Sequence, residues 1–95
     1  MAWYLSGEAE EDVISMFIEG SEQFGMQQAE RYHDDLEKIF EFLATYPEAS
    51  PVHREFTPNI RMHPFGSHII LYTIDESGDV YIVRVYHGRE DWLKG

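Results

Sequence analysis

The stretch IRMHPFGSHIILYTIDESGDVYIVRVYH, Ile60 to His87, decides the fold. Its apolar residues recur with a period of about two, the spacing that puts alternate side chains on one face of a strand. Ile60–Phe65, His68–Asp75 and Val80–His87 are rich in Ile, Val and Tyr, which suit a pleated, half-buried surface. Gly66-Ser67 and Glu76-Ser77-Gly78-Asp79 interrupt them at hairpin length. An antiparallel meander is therefore expected over these residues.

Upstream the pattern changes. Residues 47–58 hold Pro47, Pro51 and Pro58 without periodicity, and they read as a surface loop. Before the loop the apolar period is that of a helix. Ala29, Tyr32, Leu36, Ile39, Phe40 and Leu43 step by three and four, which predicts a helix from Met26 to about Thr45, ended by Pro47. Ala9, Val13, Met16, Phe17 and Phe24 make a second stripe, with Gly20 on it, predicting a helix over residues 7–24. Ser6 is placed to cap it, and Glu8, Glu10, Glu11 and Asp12 suit the positive end of its dipole. Gly25 is placed for a left-handed C-cap, and so short a link folds the helices into an antiparallel hairpin. Trp3-Tyr4-Leu5 reads as a brief opening strand. The expected architecture is a single α+β domain over residues 1–95. Its order is β-α-α-β-β-β, with the two-helix hairpin on one face of a mainly antiparallel sheet.

The other sheet face is unusual. In His68–Asp75, Ile70, Tyr72 and Ile74 share one parity and Ile69 and Leu71 the other. In Val80–His87, strict alternation puts Tyr81, Val83 and Val85 on one face and Val80, Ile82, Arg84 and Tyr86 on the other. A sheet covered on one side should be polar on its second face. Either that face is an exposed interaction surface, or a tail with Trp92 and Leu93 folds back over it.

Composition excludes several function classes. The chain has 95 residues, 43% hydrophobic and 15% aromatic, values of a folded protein rather than a disordered one. It has no cysteine, which excludes disulfides, thiolate catalysis and cysteine-based zinc sites. Met1–Ser6 carries neither a basic region nor a long apolar run, so no signal peptide, no membrane association and a cytoplasmic location are expected. The net charge of −11 opposes direct binding to a nucleic-acid backbone. It is unevenly placed. Residues 1–50 carry 12 acids against Arg31 and Lys38, a balance of −10. Residues 51–95 carry 6 acids against 5 bases, a balance of −1, together with His53, His63, His68 and His87.

No phosphate-binding glycine loop and no nucleophile elbow occurs. His63 and His68 flank the Gly66-Ser67 turn, but no metal-ligand spacing supports them, so no metal and no cofactor is expected. One constellation has catalytic chemistry. Arg61 and His63 share a face of the first meander strand, Arg84, Tyr86 and His87 lie on the last, and Arg89 follows directly. If hairpin pairing gathers them, they supply the base, the acid and the cations of a metal-free ribonuclease. In the plainer alternative, Arg84 pairs with a carboxylate and the histidines are ordinary strand residues.

Val80-Tyr81-Ile82-Val83-Arg84-Val85-Tyr86-His87-Gly88-Arg89-Glu90-Asp91 resembles the closing strand of ParE-type toxins, which ends in His-Gly-Arg-x-Asp. Phe65-Gly66-Ser67-His68-Ile69-Ile70-Leu71-Tyr72 is similar to that family's strand after the small turn. Phe24-Gly25 with Gln28-Ala29-Glu30-Arg31-Tyr32 is similar to its helical hairpin. Leu5-Ser6 before Glu8-Ala9-Glu10 is similar to its opening, with Gly7 where a proline is common, and Arg61 falls where a basic residue is frequent. The resemblance runs over nearly the whole chain.

This resemblance implies the RelE/ParE fold and the toxin of a type II toxin–antitoxin pair. The implied partner is a ParD-like ribbon-helix-helix antitoxin whose C-terminal segment wraps the toxin, and the implied target is DNA gyrase. RelE-type relatives instead cleave messenger RNA on the ribosome, for which Arg61, His63, Arg84 and His87 are the candidate residues. A non-toxic remnant that only binds antitoxin is a third reading. Candidate target-binding residues are Arg84, Tyr86, Arg89, Trp92 and Lys94, where the positive charge collects with aromatic anchors. Phe17, Phe24 and Tyr32 are candidate antitoxin-binding residues, on the helical stripes. Members of the superfamily are commonly neutral to basic, so the acidity here is a departure.

Overall fold

A computed structural model describes residues 2–53 and 59–88. In chain order the elements are β1 (Trp3–Leu5), α1 (Gly7–Phe24), α2 (Met26–Thr45), β2 (Val52–His53), β3 (Ile60–Phe65), β4 (His68–Ile74) and β5 (Val80–His87). The strands form one sheet in the order β1-β5-β4-β3-β2. The meander β3-β4-β5 is antiparallel as the sequence predicts. β1 instead runs parallel to β5, with Trp3 opposite Val80 and Leu5 opposite Ile82. The architecture is α+β, two helices packed against a five-stranded mixed sheet.

Both helices lie on one face. Ala9 and Val13 of α1 and Leu36, Phe40 and Leu43 of α2 pack on Ile70, Tyr72, Val80, Ile82 and Val85 of the sheet. Phe40 is 1% exposed, and its ring lies 4.8 Å from that of Trp3, so α2 also clamps the opening strand. Ser6 caps α1 as expected. Its Oγ accepts from the Ala9 N–H at 2.9 Å and donates to the Val83 carbonyl at 2.7 Å.

Three expectations change. The proline-rich stretch is not wholly loop, because Val52 and His53 pair with Arg61 and Ile60 as a short edge strand. Pro47 holds that stretch to the core by accepting from the buried Tyr72 hydroxyl at 2.7 Å. Gly25 has φ 92° and ψ 156°, an extended left-handed geometry rather than a helical one. Its N–H bonds the Ser21 carbonyl and its carbonyl accepts from Ala29, so one residue ends α1 and starts α2. Finally, strict alternation fails in β5. Leu71 pairs with Arg84 but Tyr72 pairs with Ile82, leaving Val83 as a bulge. The extra residue shifts parity, so Val80, Ile82 and Val85 face the helices together while Val83 and Tyr86 pack on the second face.

That second face is not an open surface. Ile60, Met62, Ile69 and Leu71 are only 7–8% exposed and form their own cluster with Val83 and Tyr86. Trp92 and Leu93, expected as one possible cover, lie outside the described residues.

Candidate functional site

β1 is three residues long and β5 is eight, so β5 runs past its neighbour and leaves backbone groups unpaired on that edge. The first turns of α1 cover it. The Asp12 carboxylate accepts from the Val85 N–H at 3.0 Å. It also takes both ends of the Arg84 fork, Nε at 2.7 Å and Nη2 at 2.9 Å, while Nη1 reaches Glu8 at 3.4 Å. Asp12 comes first among the causes that raise the Arg84 pKa above its already high ordinary value. Arg84 also lies over the Tyr86 ring, 4.6 Å from its centre. Arg84 is thus the cation of a strand-to-helix clasp, the plainer of the two readings open in the sequence. Tyr86 is half-buried beside it, while Arg89, Trp92 and Lys94 lie outside the described residues.

The four ribonuclease candidates do not converge. Arg61 donates to the Ser50 carbonyl at 2.7 Å, and His63 Nδ1 shares a 2.7 Å hydrogen bond with the buried Ser50 hydroxyl. Both therefore fasten the stretch after α2 to β3. Arg84 and His87 are on β5, with β4 between the two strands. Arg84 is held by Asp12, and His87 stands opposite His68, ring centres 4.9 Å apart. The predicted meander already placed His68–Asp75 between the two strands, and it is this strand that keeps the four residues apart.

The three antitoxin-binding candidates do share a place. Phe17, Phe24 and Tyr32 line a cleft of about 380 Å³ between the helices and the end of the sheet. Its floor is Ser67, His68 and His87, and Glu19, Gln23 and Gln28 lie at its sides. Gly20 faces Ala29 across the helix pair, where a Cβ on Gly20 would stand at an ordinary contact distance of 3.7 Å from that of Ala29. Tyr32 joins the helices to the floor. Its hydroxyl lies 2.8 Å from His68 Nδ1 and donates toward the Phe65 carbonyl at 3.3 Å. Gly66, at φ 55°, makes room for it. Sequence reasoning missed this Tyr32–His68 contact, although the Gly66-Ser67 turn places His68 at a strand start.

His68 is 9% exposed, and burial followed by the neighbouring His87 pushes its pKa below the ordinary 6.5, with Glu19 opposing. Burial lowers His63 as well. The unfolded chain takes up protons near pH 6.5, whereas these folded histidines do so only at lower pH. Their contribution is complete above about pH 6.5 and is lost as pH falls through the folded values. Thermal melts from pH 7.5 to 5 should show a falling Tm, and a His63→Gln/His68→Gln variant should have a smaller slope. A flat wild-type profile would contradict this assignment.

The model of the ParE toxin of type II toxin–antitoxin systems (parDE) matches residues 4–92. The chain belongs to the ParE toxin family. Toxin ParE1 of Mycobacterium tuberculosis is 31% identical over 70 residues, in strain CDC 1551 / Oshkosh and in strain ATCC 25618 / H37Rv. The match covers 74% of this chain and 71% of that protein. Among solved structures, a chain of the chromosomal ParDE TA system from P. aeruginosa superposes with a TM-score of 0.79 over 94% of this chain and 97% of that one. At 12% identity this likeness concerns the ParE fold. Among the described residues of this ParE-family chain, no helix is long and apolar enough to cross a membrane.

Proposed function

We propose that this ParE-family toxin is held inactive by a ParD-like antitoxin seated in the Phe17–Phe24–Tyr32 cleft, and that the free toxin inhibits DNA gyrase in the cytoplasm. The cleft carries the reading. It combines apolar lining residues, among them Met16, Phe17 and Leu36, with polar ones such as Gln23 and Gln28, and it includes Phe24, which is 63% exposed at the tip of the hairpin. A large aromatic left in water beside a preformed groove suits a partner helix or strand. Target contact is assigned to the closing strand and the C-terminal residues after it, through Tyr86, Arg89, Trp92 and Lys94. Arg84 supports that strand from its clasp with Asp12. A ribonuclease would need Arg61, His63, Arg84 and His87 around one phosphate, and their separation across β4 favours inhibition by contact instead.

Expression of the chain alone should arrest growth, and co-expression of the adjacent small gene should restore it. The purified toxin should then block supercoiling by gyrase in vitro and leave transcripts intact. Harmless expression of folded protein would overturn the toxin reading. Arrest with normal supercoiling and in-frame transcript cleavage would overturn the gyrase reading alone.

A further inference from the structure

The cleft sits in the most acidic part of the molecule. Residues 1–50, which include both helices, carry 12 acids against 2 bases. Apart from histidines, the one charged residue lining the cleft among the described residues is Glu19. Apolar surface is exposed at the mouth of the cleft, where Phe24, one of its lining residues, and Met26, next to the hairpin link, are 63% and 57% exposed. Exposed apolar groups beside a preformed groove suit the anchors of an amphipathic segment. An acidic segment laid along it would meet like charge on both helices, and a basic one would meet opposite charge.

We propose that the occupant of this cleft is a cationic amphipathic segment, with apolar anchors between Phe17, Phe24 and Tyr32 and Lys or Arg flanks against Glu19 and the acidic helix surfaces. The inference rests on the cleft being the antitoxin's seat, and it specifies that antitoxin's chemistry: the polarity is the reverse of a basic toxin held by an acidic partner. Burial disfavours the charged form of His68, the form that would oppose such a segment.

The test uses the folded full chain and two synthetic peptides of 15 to 20 residues. They share Leu and Phe anchors at helical spacing and differ only in flanks, Lys/Arg in one and Glu/Asp in the other. Fluorescence anisotropy should give the cationic peptide an affinity at least about tenfold the higher, falling severalfold between 50 and 300 mM salt. Phe24→Ser and Glu19→Lys change exposed groups and should keep the wild-type circular dichroism. They should weaken binding about tenfold and about threefold. Equal or better binding of the acidic peptide would overturn the proposal. So would cationic binding that both substitutions leave unchanged, since that is general attraction to an acidic surface. Growth arrest on expression does not depend on either result, so the toxin reading and the charge of its partner fail separately.

Discussion

Asp12→Ala should lower the unfolding free energy by about 2–4 kcal/mol, a melting-temperature drop of roughly 10–25 °C for a domain this size. One carboxylate serves three donors, the Nε and Nη2 of Arg84 and the Val85 N–H. Its removal strands a half-buried guanidinium and an edge amide together, and an abandoned partner costs more than the pair contributes when intact. Side-chain exposures of 29% for Arg84 and 16% for Asp12 keep the figure below that of a fully buried pair. Asp12→Asn, which keeps an acceptor for Val85, should lose less. Arg84→Ala leaves the Asp12–Val85 bond and should also lose less. Chemical denaturation of both single variants and the double variant measures the coupling, expected at about 1 kcal/mol or more. Strict additivity would show that the two residues stabilise the protein independently.

Gly66→Ala should cost about 2–3 kcal/mol, although it adds a single methyl group. At φ 55° an L side chain is strained by about 1–2 kcal/mol. The new Cβ would also stand 3.0 Å from Cε1 and 3.1 Å from Cζ of Tyr32, and closer still to the hydroxyl. Tyr32 must then swing away, losing its contacts with His68 and with the Phe65 carbonyl. In a Tyr32→Phe background the same substitution should cost about 1 kcal/mol less, since the nearest atom is gone. An equal cost in both backgrounds would assign the whole effect to the backbone. Partner binding is a second readout, because Tyr32 is a wall of the cleft.

Much of the fold was legible because it rests on local periodicity. The helix bounds, the Ser6 cap and the three meander strands follow from side-chain spacing and turn residues. The parallel partner of β1 was not legible, since Trp3-Tyr4-Leu5 carries no mark of which edge it joins. Nor was the bulge at Val83: Val80–His87 reads as clean alternation, and a single inserted residue leaves no trace in a run apolar at both parities. The cleft was partly legible. Phe17, Phe24 and Tyr32 were visible as helical stripe residues, and their meeting place depends on hairpin geometry. Asp12 was hidden by its company, four acids in five residues that suit a solvated helix start equally well. The clue was Arg84, because a cation within an apolar strand requires a counter-charge from some other element.

The parallel pairing of the first strand with the last has a kinetic side. Trp3 lies opposite Val80, and the Ser6 hydroxyl bonds the Val83 carbonyl 77 positions away. At about 5–20 residues per second on a ribosome, β1 waits roughly 4–15 s after its own synthesis before β5 exists to receive it. Contacts this distant along the chain also slow folding, because a long loop must close before they form. A nascent chain that stops short of β5 leaves Asp12 without Arg84 and Phe40 without the finished sheet. Structural maturity of the molecule is thereby tied to the translation of β5, and chains that end before it lack the partner of β1 and the cation that Asp12 holds.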